Sequence, residues 1–222
     1  EVGRLERLRE VALRVGKKFN LQMNSLAIHQ PKDKSAYLTI DSRDYQKFLS
    51  GLGYIWGERS AGKSIPDFIA QAGKETIRLF LREFFTAEGS AIMSMRSVEI
   101  SSASSWMIQQ ISVLSRRFGI WLRCSQKEKR AVNGSGIFRT YYLGTLGGNA
   151  ARHFLREIGF SDETKQNKLE SICAKPVNTN VEGLPISDIV MDMATRTGIP
   201  QRHFGVGTVY FTASQEFSRE TA

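Results

Sequence analysis

The strongest constraint on the fold is that the chain repeats itself. The run FLSGLGY at Phe48–Tyr54 returns as FLREIGF at Phe154–Phe160, and GKKFNLQ at Gly16–Gln22 is echoed by SRRFGIW at Ser115–Trp121. Both copies keep one order. An amphipathic helix ends in two basic residues and Phe, two strand-like runs follow around a turn, and a second amphipathic helix ends in Phe-Leu and Gly-aromatic. In the first copy VGRLERLREVALRVGKKF carries an apolar stripe of Leu5, Leu8, Val11, Ala12 and Val15, strands NLQMNSLAIHQ and SAYLTID flank PKDK, and SRDYQKFLSGLG starts at an N-cap of Ser42 or Asp41. In the second, SSWMIQQISVLSRRFG leads to strands IWLRCSQKEKR and GIFRTYYLG around AVNGS, whose Asn-Gly is a hairpin dipeptide, and then to GNAARHFLREIGF.

The second copy has a preface: helix KETIRLFLREFFTAEG and two short strands, AIMSM and SVEISSA. Ile77, Phe80, Leu81, Phe84 and Ala87 are expected on one face of this helix, with Glu75, Arg78 and Arg82 on the other. The fold class expected is α+β, a duplicated αββαββα unit with pseudo-twofold symmetry whose first half is truncated at its N-terminus. Equivalence of the halves puts ~35–40 residues before Glu1 in the parent protein. The expected divisions are a partial first repeat and linker at 1–70, a second repeat at 71–175 and a tail at 176–222.

Charge narrows the partner class. Thirty-one Lys and Arg against 22 Asp and Glu leave a net charge of +9, which favours polyanions through phosphate neutralisation and counterion release. Two cysteines, Cys124 and Cys173, are too few for a disulfide framework or a structural zinc site, and both read as small buried hydrophobes in a reducing, cytoplasmic compartment. His29, His153 and His203 have no metal-ligand spacing. No apolar run reaches the ~18 residues a membrane-spanning helix needs.

GERSAGKS at Gly57–Ser64 fits the phosphate-loop pattern G-x-x-x-x-G-K-[ST]. Its context excludes that role. A phosphate loop needs a helix starting at its Gly-Lys-Ser, whereas Pro66 pushes Ile65 into extended backbone and delays any helix.

The end of the preface helix carries chemistry. Glu88 is an acid at a helix C-terminus, where the dipole disfavours it; this fits a cation-binding role as well as an exposed Glu before a Gly cap. LREFFTAEG at Leu81–Gly89 resembles the signature of LAGLIDADG homing endonucleases, in particular the second copy found inside inteins. SIPDFIAQAGKETIRLFLREFFTAEGSA is similar to the family's run from a linker Pro into its second signature helix, and ISSASSWMIQQISVLSRRFGI to the segment that follows. NTNVEGLP at Asn178–Pro185 and the terminal FSRE resemble the tail that joins such domains to a splicing domain.

The resemblance implies a site-specific, metal-dependent double-strand DNA endonuclease that is covalently part of an intein. The alternative is a degenerate relative that binds DNA as a regulator without cutting. It implies Glu88, with Gly89, as ligands of Mg²⁺ or another divalent cation, and Lys63 and Lys165 beside the scissile phosphates. One residue departs from the pattern: the third signature position, usually Gly, is Glu83. DNA is expected across the strands, on Arg123, Ser125, Lys127 and Lys129, with Arg139 and Tyr141 on the return strand. The first-copy counterparts are Gln22, Asn24, Gln30, Lys32 and Lys34. The splicing nucleophile and terminal His-Asn that an intein needs are not at the ends of this sequence.

Overall fold

A computed structural model of the chain describes residues 2–32, 35–57, 60–130, 138–176, 183–184, 187–198 and 217–218. It divides into two compact units, Glu1–Glu58 with Pro66–Phe68, and Arg59–Ile65 with everything from Ile69 onward.

The first unit runs α1 (Val2–Phe19), β1 (Ser25–His29), β2 (Tyr37–Asp41) and α2 (Arg43–Gly51). Ser42 caps α2, its hydroxyl accepting from the Tyr45 N–H at 2.9 Å. The strands pair antiparallel from Ser25 opposite Asp41 to His29 opposite Tyr37, whose rings stack at 5.0 Å. β1 starts later than the sequence suggests. Gln22 and Asn24 lie ahead of it because their main chains are held elsewhere: the Gln22 N–H donates to Asp44 Oδ2 at 3.1 Å, and the Asn24 N–H to the Asp41 carbonyl at 2.8 Å. The stripe of α1 is also less covered than expected. Ala12 and Gly16 are buried, but Leu8 and Val11 stay more than 40% exposed, at 45% and 43%.

A single turn, α3 (Asp67–Ala70), begins only after Pro66, so the phosphate-loop residues Lys63 and Ser64 cap no helix. The second unit runs α4 (Lys74–Glu88), β3 (Gly89–Ile92), β4 (Ser97–Ser102), α5 (Ser105–Arg116), β5 (Arg123–Arg130), β6 (Phe138–Gly147), α6 (Gly148–Glu157) and α7 (Glu163–Cys173). Its four strands form one antiparallel sheet in the order β3-β4-β6-β5. One sheet face, with Val98, Ile100 and Leu146, closes on Ile77, Leu81 and Phe85 of α4, Ile108 and Ile111 of α5, Phe154 of α6 and Leu169 of α7. Phe85, Phe154 and Phe160 form an aromatic stack at 4.6 and 5.3 Å between ring centres. Full burial of such a side chain contributes about 1.5–3 kcal/mol. Farther on, β7 (Gly183–Leu184) pairs antiparallel with β8 (Phe217–Ser218), and α8 spans Ser187–Thr197.

The repeat is visible in element order, α1-β1-β2-α2 matching α5-β5-β6-α6, and in main-chain detail. Asn20 and Gly119 both take left-handed backbone, φ 51° and 70°, just past a helix. The next N–H in each copy turns back to the same carbonyl, Leu21 to Gly16 at 2.9 Å and Ile120 to Ser115 at 3.2 Å. Gly53 and Gly159 repeat the pattern at the second helices, with φ 89° and 64°.

Three further expectations are corrected. The buried face of α4 is Ile77, Leu81, Phe85 and Thr86; Phe80 and Phe84 are half-buried and Ala87 is exposed, because the sheet takes the neighbouring stripe of a helix with two apolar stripes. AIMSM is mostly turn: β3 ends at Ile92, and Arg96 closes the turn at φ 49°. Cys124 is exposed and Cys173 is half-buried, since Cys124 sits on β5, an edge strand of the sheet. Burial pushes the Cys173 thiol up, partly countered by the charge of Arg152. The AVNGS turn lies outside the described residues. Among the described residues, no helix is long and apolar enough to cross a membrane.

Candidate nucleic-acid interface and helix-end site

The end of α4 is built around Gly89. Its N–H closes the helix on the Phe85 carbonyl. A Cβ there would fall 2.6 Å from that carbonyl oxygen and 3.1 Å from Ile100 Cγ2, so only glycine lets the chain pass directly from helix into β3. Thr86 is buried; its hydroxyl donates to the Arg82 carbonyl at 2.7 Å and accepts from the Ser161 N–H at 2.9 Å. These bonds tie the helix end to the start of α7.

From α7, Lys165 reaches back to α4. Its ammonium donates to the Thr86 and Gly89 carbonyls, both at 2.7 Å. Asp162 caps α7 by accepting from the Lys165 N–H at 2.8 Å, which fixes where that side chain starts. A cation on the last carbonyls of a helix also offsets the negative end of its dipole. Glu88, the last residue of α4, lies within the span of chain that Lys165 brackets, and its side chain is exposed. Of the two expected metal ligands, then, Glu88 offers an open carboxylate, while the Gly89 carbonyl accepts the Lys165 ammonium. Glu83 is exposed as well.

Lys63 is held by its backbone. Its carbonyl accepts from the Ser104 hydroxyl at 2.7 Å, and that hydroxyl also caps α5 by accepting from the Met107 N–H at 3.1 Å. Two residues on, the Gln110 amide brackets buried Ile65, at 2.8 Å to its N–H and 3.4 Å to its carbonyl. The Lys63 side chain is exposed.

The strand residues fall on one sheet face. Register places Arg123 opposite Thr145, Ser125 opposite Leu143 and Lys127 opposite Tyr141, so these side chains share the face turned away from Ile100 and Leu146; the backbone of Lys129 pairs with Arg139. Glu99 of β4, opposite Thr145, belongs to the same face. It pairs with Lys127 across β6 at 3.1 Å. Both partners stay partly exposed, so the pair contributes only about 0–1 kcal/mol, but it takes one cation of the basic face into a neutral pair. Lys32 is exposed in the turn after β1, and Lys34 lies outside the described residues.

Thr86, Ser104, Gln110 and Ser161 were missed in the sequence, although they position the candidate residues. Ser104 alone carried a signal there, as the residue before an apolar helix. Among the described residues no three His, Cys, Asp or Glu side chains cluster as a metal site.

Residues 75–159 match the family model described as a LAGLIDADG-like domain. That segment is similar to the LAGLIDADG-like domain. Among curated proteins it is similar to the replication factor C small subunit of Methanocaldococcus jannaschii, 28% identical over 70% of this chain and 8% of the relative. It is also similar to the probable translation initiation factor IF-2 of the same organism, 27% identical over 74% of this chain and 15% of the relative. The chain thus spans less than a fifth of each. Two solved structures of I-DmoI match more loosely. One, of mesophilic variants of that homing endonuclease, is 11% identical with a TM-score of 0.48, covering 68% of this chain and 66% of the other. The second, of I-DmoI in complex with DNA and Mn, is 12% identical with a TM-score of 0.47, covering 70% and 73%.

Proposed function

We propose that the chain is part of a site-specific double-strand DNA endonuclease carried within an intein. The observation that carries the reading is the end of α4, where an exposed Glu88 closes a helix of the segment similar to the LAGLIDADG-like domain and Lys165 holds the flanking carbonyls. The basic face of the four-stranded sheet supports duplex DNA as the substrate. The intein setting is supported by the relatives: one segment recurs in proteins of unlike name and makes up a small share of each, as an inserted element does.

In this reading Glu88 would hold a divalent cation such as Mg²⁺. Such an ion, when bound, lowers the pKa of water and neutralises charge developing on phosphate. Lys165 fixes the helix end that presents Glu88, and the exposed ammonium of Lys63 is available to a backbone phosphate. Arg123, Ser125, Arg139 and Tyr141 hold the duplex in register.

The test uses the full-length parent protein and a plasmid carrying the uninterrupted host gene. The unmutated protein is expected to linearise the plasmid in Mg²⁺. Glu88→Gln is expected to lower the rate by orders of magnitude, as loss of a metal-held nucleophile does, while DNA binding in Ca²⁺ persists. A variant that cuts at the unmutated rate rules out Glu88 as the acid. Binding without cutting by the unmutated protein favours the DNA-binding regulator instead, a reading for which exposed Glu83 in the signature is the specific observation.

A further inference from the structure

A cavity of about 400 Å³ lies at one end of the four-stranded sheet, and Glu88 is not among its lining residues. Arg96, Arg123, Arg152 and Lys175 line it together with Ser97, Gly147 and Gly148, and no acidic residue is among the described residues that do so. Four cations around one space repel one another, and a bound anion would relieve that repulsion.

Three features show how the cavity is built. Arg152 is anchored: its guanidinium donates to the carbonyls of Cys173 at 3.3 Å and Lys175 at 3.0 Å, which fixes the end of α7 as one wall. Arg96 stands in left-handed backbone at φ 49°, a conformation non-glycine residues rarely adopt. Among the described residues, Arg96, Arg123 and Lys175 take part in no ion pair.

The fourth feature is Ser97. It is only 4% exposed, and its hydroxyl has no hydrogen-bond partner. A buried hydroxyl left without a partner is unfavourable and would be satisfied by a bound acceptor. Across the ladder from Ser97 is Gly147, the N-cap of α6, where no side chain caps the helix. The positive end of a ten-residue helix therefore faces the same space as an orphaned hydroxyl and a ring of guanidinium groups.

We infer that this cavity binds a phosphate group. A phosphate offers several oxygens to donors arriving from different directions, and guanidinium groups match its edges in pairs. Arg123 and Thr145 line the cavity and also lie on the basic sheet face, so the group has two sources: free phosphate, or the backbone of a nucleic acid crossing that face. The site itself stands on the cavity alone; only the second source rests on the DNA-binding reading.

The first arm of the test needs no DNA. The chain is titrated with inorganic phosphate at low salt while the amide resonances of Ser97, Gly147 and Gly148 are followed. A saturable shift of these amides is expected. Affinity should fall roughly tenfold in Arg96→Ala or in Lys175→Ala, the loss of one charge-assisted hydrogen bond. Lys175→Ala lies just past a helix end and serves should Arg96→Ala disturb its turn. The second arm measures duplex affinity against salt. If Arg96→Ala lowers the slope of log affinity against log salt by about 1, the phosphate belongs to the nucleic acid backbone. An unchanged slope with a normal phosphate titration assigns the site to free phosphate. If inorganic phosphate leaves the three amides unmoved, or binds both variants as tightly as the unmutated chain, the inference is overturned whatever the DNA arm gives.

Discussion

Lys165 Nζ lies 2.7 Å from the carbonyl oxygens of both Thr86 and Gly89, residues on either side of Glu88. One ammonium from α7 thus secures the last turn of α4. Hydrogen bonds to a charged group contribute about 1.5–3 kcal/mol. Lys165→Met is therefore expected to lower the melting temperature by several degrees, since about 1 kcal/mol shifts a domain of this size by 2–4 °C. Lys63→Met, which removes only an exposed side chain, is expected to leave it unchanged. Differential scanning calorimetry on both variants checks this; equal melting temperatures would mean that the Lys165 bonds carry no stability.

Glu99 holds Lys127 at 3.1 Å on the basic sheet face. Glu99→Gln should release that ammonium for phosphate and remove a like charge from the path of the backbone. Duplex affinity at low salt is expected to rise several-fold, and the salt slope to steepen by up to about 0.9. Fluorescence anisotropy across a salt series measures both. An affinity that falls instead would mean that Glu99 itself reads a base edge.

Gly89→Ala places a methyl 2.6 Å from the Phe85 carbonyl oxygen, which belongs to the main chain and cannot step aside. A loss of about 1–3 kcal/mol is expected in urea unfolding. Gly51→Ala is the control. A Cβ there meets nothing within 4 Å, so the change should be neutral or stabilising by a few tenths of a kcal/mol.

The Glu157 carboxyl is held below its ordinary value of 4.5, first by the hydrogen bond from Arg156, with the charges of Arg156, Arg78 and Lys74 acting in the same direction and burial opposing them. A depressed folded pKa gives stability that is complete above the ordinary glutamate value and is lost as pH falls through the lower, folded one. The urea midpoint should therefore drop below about pH 4.5, and Glu157→Gln should flatten part of that drop. The same acid dependence in the variant would assign the effect to other carboxylates.

The repeat made much of the second unit legible. Paired sequence runs give the helix order, and the Gly-aromatic pairs at Gly53 and Gly159 mark two helix ends; the left-handed turns at Asn20 and Gly119 emerge only in the structure. The face of α4 was not legible, because Ile77-Leu81-Phe85 and Phe80-Phe84-Ala87 are both apolar stripes at helical spacing. Only the sheet against them decides which is buried. The partners of Lys165 were invisible for a different reason: they are main-chain carbonyls, which every residue has. The Lys127–Glu99 pair spans a strand that sits between its partners, and no spacing in the sequence announces it.

The matched domain stops at residue 159, yet Phe160 and Leu169, each at most 1% exposed, belong to the same core, and Lys165 lies beyond that border as well. A graft cut at the family border would expose Phe85 and Phe154 and leave two carbonyls at the end of α4 without their ammonium. The smallest transplantable cassette therefore extends through Cys173, and α7 travels with the domain as its built-in buttress.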